Sequence, residues 1–188
     1  IMDMEFHDYV GVYPMTALPN TPFFEPSYVK EYGIDIVETT PAFFHHDYPE
    51  MLKDEKEFMV VGSDTMNREE YVEASIWRWM FMFAHFLGFT QHISRVLSST
   101  HDISYKEFYT KFYNWMKNHP DTFLGKEMST TKNTLTKVLK KETLWGRKVE
   151  EITGNYFWDY EEATAIKIVT NREEFDKNLR SFITSEFK

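Results

Sequence analysis

Histidine supplies most of the side chains in this sequence that could do chemistry. His45-His46-Asp47 sets two imidazoles beside a carboxylate, residue types that hold a metal or move a proton. Adjacent residues rarely point the same way, and no third ligand follows at a useful spacing, so an exposed loop is the favoured reading. His85 and His92 lie seven residues apart. On an unbroken helix they share a face two turns apart, roughly 10 Å at ~1.5 Å per residue, too far for both to hold one metal ion. Helical zinc pairs use spacings of three or four. A bend at Gly88 would bring them closer, but hydrogen-bonded histidines of a core or groove are the favoured reading. His45, His46, His85 and His92 are thus the metal-ligand candidates, and no residue is assigned a catalytic role. Glu161-Glu162 and Glu173-Glu174 resemble paired carboxylates. The second pair opens a helix, where acids simply favour the dipole. Trp77, Trp79, Phe83 and Phe86 are candidates to line an apolar groove. A stripe of this kind is more often plain core. There is no phosphate-binding glycine loop, no Gly-x-Ser-x-Gly elbow and no His-Glu-x-x-His.

The composition narrows the classes further. The chain has 188 residues, enough for a real core, and 18 % of them are aromatic. Cysteine is absent. That excludes disulfides, thiolate nucleophiles, zinc-thiolate sites and cysteine-ligated iron–sulfur clusters within the chain, and it fits a reducing, cytoplasmic location. No apolar run approaches the roughly 20 residues that span a bilayer, and no secretory signal opens the chain. The first residue is Ile1, which suits a fragment of a longer protein. The net charge of −9 is unevenly spread: residues 1–75 carry 4 basic and 16 acidic side chains, residues 76–188 carry 17 and 14. An acidic surface of this kind argues against nucleic acid as a partner. Residues 126–148 hold seven Lys or Arg against two Glu. A solvated helix face is the favoured account of that run, and a contact patch for an acidic partner is the other.

The elements that would position these residues read as mainly α. The expectation is a single helical domain over 34–188, an extended N-terminal arm over 1–33, and a small β-hairpin. Three prolines between Pro19 and Pro26 forbid a regular helix there. A short helical turn follows over Pro26–Tyr32 and ends at Gly33. Strands are expected at 33–39 and 58–61, paired as the hairpin. Asn67, with Glu70 three residues on, caps a long helix that is apolar nearly all round from 76 to 89, hence central and buried. Gly88 breaks or kinks it, and 90–98 forms a second segment. Ser104 with Glu107 opens another helix, ending near Asn118. A further helix is expected from about Ser129 to Leu144, then a turn over 154–159 and a short helix or strand over 160–169. Asn171 caps the last helix, whose buried stripe is Phe175, Leu179, Phe182 and Ile183.

Three stretches carry a resemblance. The first is the Leu18-Pro-Asn-Thr-Pro connector with Pro26, Tyr28 and Tyr32-Gly33-Ile34. The second runs from Thr65-Met66-Asn67 through Trp77-Arg78-Trp79 to Leu87-Gly88. The third is Trp158 to Phe187, an acid-acid-Ala segment, an Asn cap and a Phe-rich helix. In order, they resemble the region after the catalytic barrel of cobalamin-dependent radical S-adenosylmethionine enzymes. That resemblance implies an accessory, non-catalytic helical domain of a methyltransferase-like enzyme, covering the barrel mouth or shaping the substrate channel. The family's cofactors, S-adenosylmethionine, cobalamin and an iron–sulfur cluster, would then sit in upstream domains, and none is expected in this chain. The upstream barrel would be its partner. A chain cut from that barrel keeps an orphaned face, which invites a homodimer. Two other classes stay open on the residues alone: a free-standing interaction module that uses the groove or the basic patch, and a His-based metal-binding protein.

Overall fold

Two proline-led turns, a bulged strand pair and a set of aromatic-rich helices account for most of the chain. The structure, a computed structural model, describes residues 7–41, 43–47, 49–52 and 54–187. The first six residues of the expected arm, and Ala42, Tyr48 and Lys53 of the 40–57 loop, lie outside the described residues. The fold is mainly α, as expected, with two small antiparallel strand pairs. The chain divides into two compact units. One comprises Val12–Ser75 and Lys132–Asp159; the other comprises the described parts of Ile1–Gly11, Ile76–Thr131 and Tyr160–Lys188.

In the first of these units, α1 (Pro26–Glu31) follows a single 3-10 turn at Pro22–Phe24. Gly33 ends that segment at φ +57, with the Asp64 side chain where any Cβ would stand. Strands β1 (Asp35–Thr39) and β2 (Glu57–Gly62) pair antiparallel, with Val37 opposite Met59 and a bulge between Asp35 and Ile36. Part of the arm is tied to this strand pair. The Ala17 N–H donates to the Phe58 carbonyl at 2.7 Å and the Val60 N–H to that of Met15 at 2.9 Å, so residues 15–17 flank β2. A second pair, β3 (Arg147–Lys148) with β4 (Phe157–Trp158), encloses the short α6 (Glu150–Thr153). Strands of two residues are too short to show alternation in sequence.

The aromatic density lies in the other unit. Helix α2 (Arg68–Phe81) begins in the strand-bearing unit and runs into it. Its capping box forms as expected: Asn67 Oδ1 accepts from the N–H groups of Glu69 and Glu70, and Glu70 Oε2 accepts from the Asn67 N–H. A π-helical turn, Met82–Phe86, continues it. Helices α3 (Gln91–His101), α4 (Tyr105–Asn118), α7 (Tyr160–Thr170) and α8 (Arg172–Glu186) complete the unit with the first part of α5 (Phe123–Leu139). Trp79, Phe83, Phe108, Phe112, Phe175 and Phe182 are fully buried. Phe112 and Phe182 rings pack 5.0 Å apart and Phe108 and Phe182 5.4 Å, so α4 and α8 interlock through edge-on and tilted aromatics.

Both ends of α5 differ from expectation. Helix α5 starts at Phe123 because the Thr122 hydroxyl oxygen accepts from the Gly125 N–H at 3.1 Å. It stops at Leu139 because Lys141 turns left-handed at φ +62. There the Glu142 N–H reaches the Lys137 carbonyl and the Lys141 N–H that of Val138. Residues 160–169 resolve as helix. Asn171 separates α7 from α8, but its amide donates back to the Lys167 carbonyl at 2.9 Å and does not cap α8.

Candidate functional site

Four consecutive residues of the π turn, Met82, Phe83, Ala84 and His85, are fully buried. The closing bonds of the turn run from the Leu87 N–H to the Met82 carbonyl and from the Thr90 N–H to that of Ala84. Gly88, at φ +88, releases the chain into α3. Interruptions of this kind recur at functional positions.

His85 is the centre of a hydrogen-bonded chain. Its Nδ1 lies 2.7 Å from the Tyr109 hydroxyl, and its Nε2 lies 3.2 Å from Nδ1 of His7. His7 Nε2 is 3.2 Å from the Tyr105 hydroxyl, and the His7 carbonyl accepts from Gln91 Nε2 at 2.8 Å. Tyr109 in turn lies 3.3 Å from the Thr90 hydroxyl and 3.4 Å from that of Ser94. Proton bookkeeping limits the direction. Thr90 donates to the Ala84 carbonyl and Ser94 to that of Gln91, at 3.0 and 2.9 Å. Each hydroxyl has one proton, so both can only accept from Tyr109. Tyr109 has one proton: given to Thr90 or Ser94, it leaves the phenol oxygen to accept from an Nδ1–H tautomer of His85, whose Nε2 then accepts from His7; given to His85 Nδ1 across the shorter contact, it reverses the chain. In either direction, protonating His85 would add a donor where a neighbour already donates. Its pKa is pushed down to about 4, chiefly by burial and then by the charges of His7 and Arg95. Burial pushes the Tyr109 phenol up to about 12, against the hydrogen bonds of Ser94 and Thr90.

This chain ends at a cleft of about 840 Å³ whose lining includes His7, His92, Arg95, Ser98, Asp102 and Ser104. His92, Arg95 and Ser99 fall at i, i+3 and i+7 of α3, on one face. The Ser104 Oγ accepts from the Glu107 N–H at 3.1 Å and caps α4 at the same place.

The other candidates lie apart from this cluster in role. His85 is a buried network member, and His92 is exposed on the cleft wall. In the strand-bearing unit, His45 and His46 are exposed; the His45 ring packs 4.6 Å from Trp158 and its N–H donates to the Phe157 carbonyl, while His46 meets the edge of Phe43. No group of three or more His, Cys, Asp or Glu converges among the described residues. Of the groove candidates, Trp79 and Phe83 are core. Trp77 and Phe86 are half-buried, and Trp77 stacks flat on Tyr113 at 4.3 Å. Sequence reading missed His7, Tyr105 and Tyr109. The spacing of the two tyrosines, i and i+4 on α4, was visible; the partnership of His7 with a residue 78 positions away was not.

A buried ion pair also went unread. Arg78 and Glu161 meet through two contacts of 3.2 and 3.3 Å, their side chains 8 % and 5 % exposed. Nearby, Trp79 Nε1–H donates to the Thr164 hydroxyl at 2.9 Å.

No protein-family model matches the chain. Over 121 residues, 63 % of its length, it is 31 % identical to 2-(S-pantetheinyl)-carbapenam-3-carboxylate methyltransferase of Streptantibioticus cattleyicolor. It is equally similar, over the same share, to the cobalamin-dependent radical SAM methyltransferase TokK of Streptomyces tokunonensis. The chain spans 17 % of the length of each of these relatives. This chain is thus similar to cobalamin-dependent radical S-adenosylmethionine methyltransferases, in agreement with the resemblance read from its sequence.

Proposed function

We propose that the chain is a non-catalytic accessory region of a cobalamin-dependent radical S-adenosylmethionine methyltransferase, placed after the barrel, where it covers the barrel mouth and shapes the substrate channel. The observation that carries this reading is the 31 % identity over 121 residues to two methyltransferases of which the chain spans only 17 %. The donor set of the chain supports the accessory half of it. With no cysteine, it offers no thiolate to an iron–sulfur cluster, so it does not fit the role of cluster ligand. The aromatic core and the capped helices instead provide a stiff body that holds a surface in place. The cofactors and the substrate belong, on this reading, to domains upstream of Ile1.

The test starts with the reading frame upstream of Ile1 in the source DNA. An open frame running back into a cluster-binding barrel is expected. The full protein is then compared with one truncated before Val12. Iron and cobalamin content should survive truncation, and methyl transfer to the substrate should fall. A frame that closes next to Ile1, or a truncated enzyme with unchanged kcat/KM, would refute the proposal.

A further inference from the structure

The cleft that ends the His7–His85 chain has a charge at odds with the protein. The whole sequence is acidic, at −9. Yet among the described residues the titratable side chains lining this cleft, apart from Tyr105, are His7, His92 and Arg95 against one acid, Asp102. Arg95 is exposed and makes no ion pair or hydrogen bond among the described residues. An unpaired guanidinium presents a planar fork of donors suited to an oxyanion. Hydroxyls lie around it: Ser98 lines the same wall, and Ser104, whose oxygen already accepts from the Glu107 N–H, keeps its proton to donate. The cap also places the positive end of the 14-residue α4 at the cleft. His7 is pinned from both ring nitrogens and from its carbonyl, so its ring forms a fixed wall.

We infer that this cleft is a binding site for the oxyanion group of a small ligand, a carboxylate or a phosphate, held by the Arg95 guanidinium with His92 and the Ser98 and Ser104 hydroxyls beside it. Asp102, which also lines the cleft, disfavours a second negative charge on the ligand beside it. The inference does not rest on the function proposed above.

The intact, 15N-labelled chain is titrated with inorganic phosphate, with acetate, and with sodium chloride at matched ionic strength. The Arg95 side-chain and His92 ring signals are followed. Saturable shifts with phosphate alone assign a phosphate-type ligand; saturable shifts with acetate alone, or with both, assign a carboxylate or a general oxyanion. Arg95→Ala should weaken that binding about tenfold, the loss of one charge-assisted contact, and Arg95→Lys should recover part of it. Arg95 is exposed, so both variants keep the fold. Shifts with phosphate and acetate no larger than those with chloride, or equal affinity in Arg95→Ala, would overturn the inference.

Discussion

Acidification should unfold this protein partly through one residue, His85. The imidazole is fully buried and neutral, and its pKa sits at about 4 against an ordinary value of 6.5. Above pH 6.5 neither the folded nor the unfolded state holds a proton on it. Between 6.5 and 4 the unfolded chain binds the proton and the folded one does not, so stability drains as pH falls. Below 4 both states are protonated and this source of loss ends. The gap from about 6.5 to about 4 amounts to about 3 kcal/mol. Carboxylates also destabilise proteins in acid, and Asp35, held low by its hydrogen bond to Arg68, is one of them. The comparison must therefore be differential. Urea unfolding followed by tryptophan fluorescence is run from pH 7.5 to 4 on the native protein and on His85→Asn. The Asn amide reaches the Nδ1 position and keeps a hydrogen-bond partner for Tyr109, but it does not titrate. The variant starts less stable, and its pH profile should be flatter by about 3 kcal/mol across the window. Parallel profiles would refute the burial argument for His85.

Three further outcomes follow from packing. Trp79→Ala removes a fully buried ring and the donor to Thr164, and should cost ~3–5 kcal/mol in chemical denaturation; an unchanged midpoint would contradict the burial. Glu161→Ala leaves the Arg78 charge buried and should cost ~3–5 kcal/mol, whereas Arg78→Met with Glu161→Leu should recover most of it. Arg68→Ala is the control, since its pair with Asp35 is 48 % and 36 % exposed and should cost under ~1 kcal/mol. Gly146→Ala forces a side chain into φ +102 against the Phe44 ring and the Trp158 carbonyl, and should lower stability by ~1–3 kcal/mol in a thermal melt.

Sequence reading succeeded where the cause is local. The Asn67 capping box, the Ser104 cap, the stop at Gly33 and the α8 stripe of Phe175, Leu179 and Phe182, with Ile183 half-buried, follow from patterns within a few residues. It failed where the cause is distant or depends on backbone detail. The Thr122 cap was hidden by a glycine in the first turn. The end of α5 depends on Lys141 adopting a left-handed conformation, which its side chain does not advertise. The ribbon of β3 and β4 is too short to leave a periodic trace. Asn171 has the residue type of an N-cap, yet the carbonyl it bonds belongs to the preceding helix.

The candidate site divides the same way. From composition alone it follows that the chain lacks thiolate chemistry and is acidic; that the helix through 76–89 is buried follows from its apolar pattern. The ordered stretches from Leu18 to Phe187 carry a resemblance that agrees with the 31 % identity over 121 residues to two methyltransferases. Which histidines matter was settled only by tertiary structure. His85 and His92 share a sequence spacing, but a π turn and a left-handed glycine send one into the core and the other to a cleft wall. His7 acquires its role from a ring 78 positions away. Spacing encodes neighbours on one helix. It carries no record of which side chains separate elements bring together, because that is set by how their apolar faces pack.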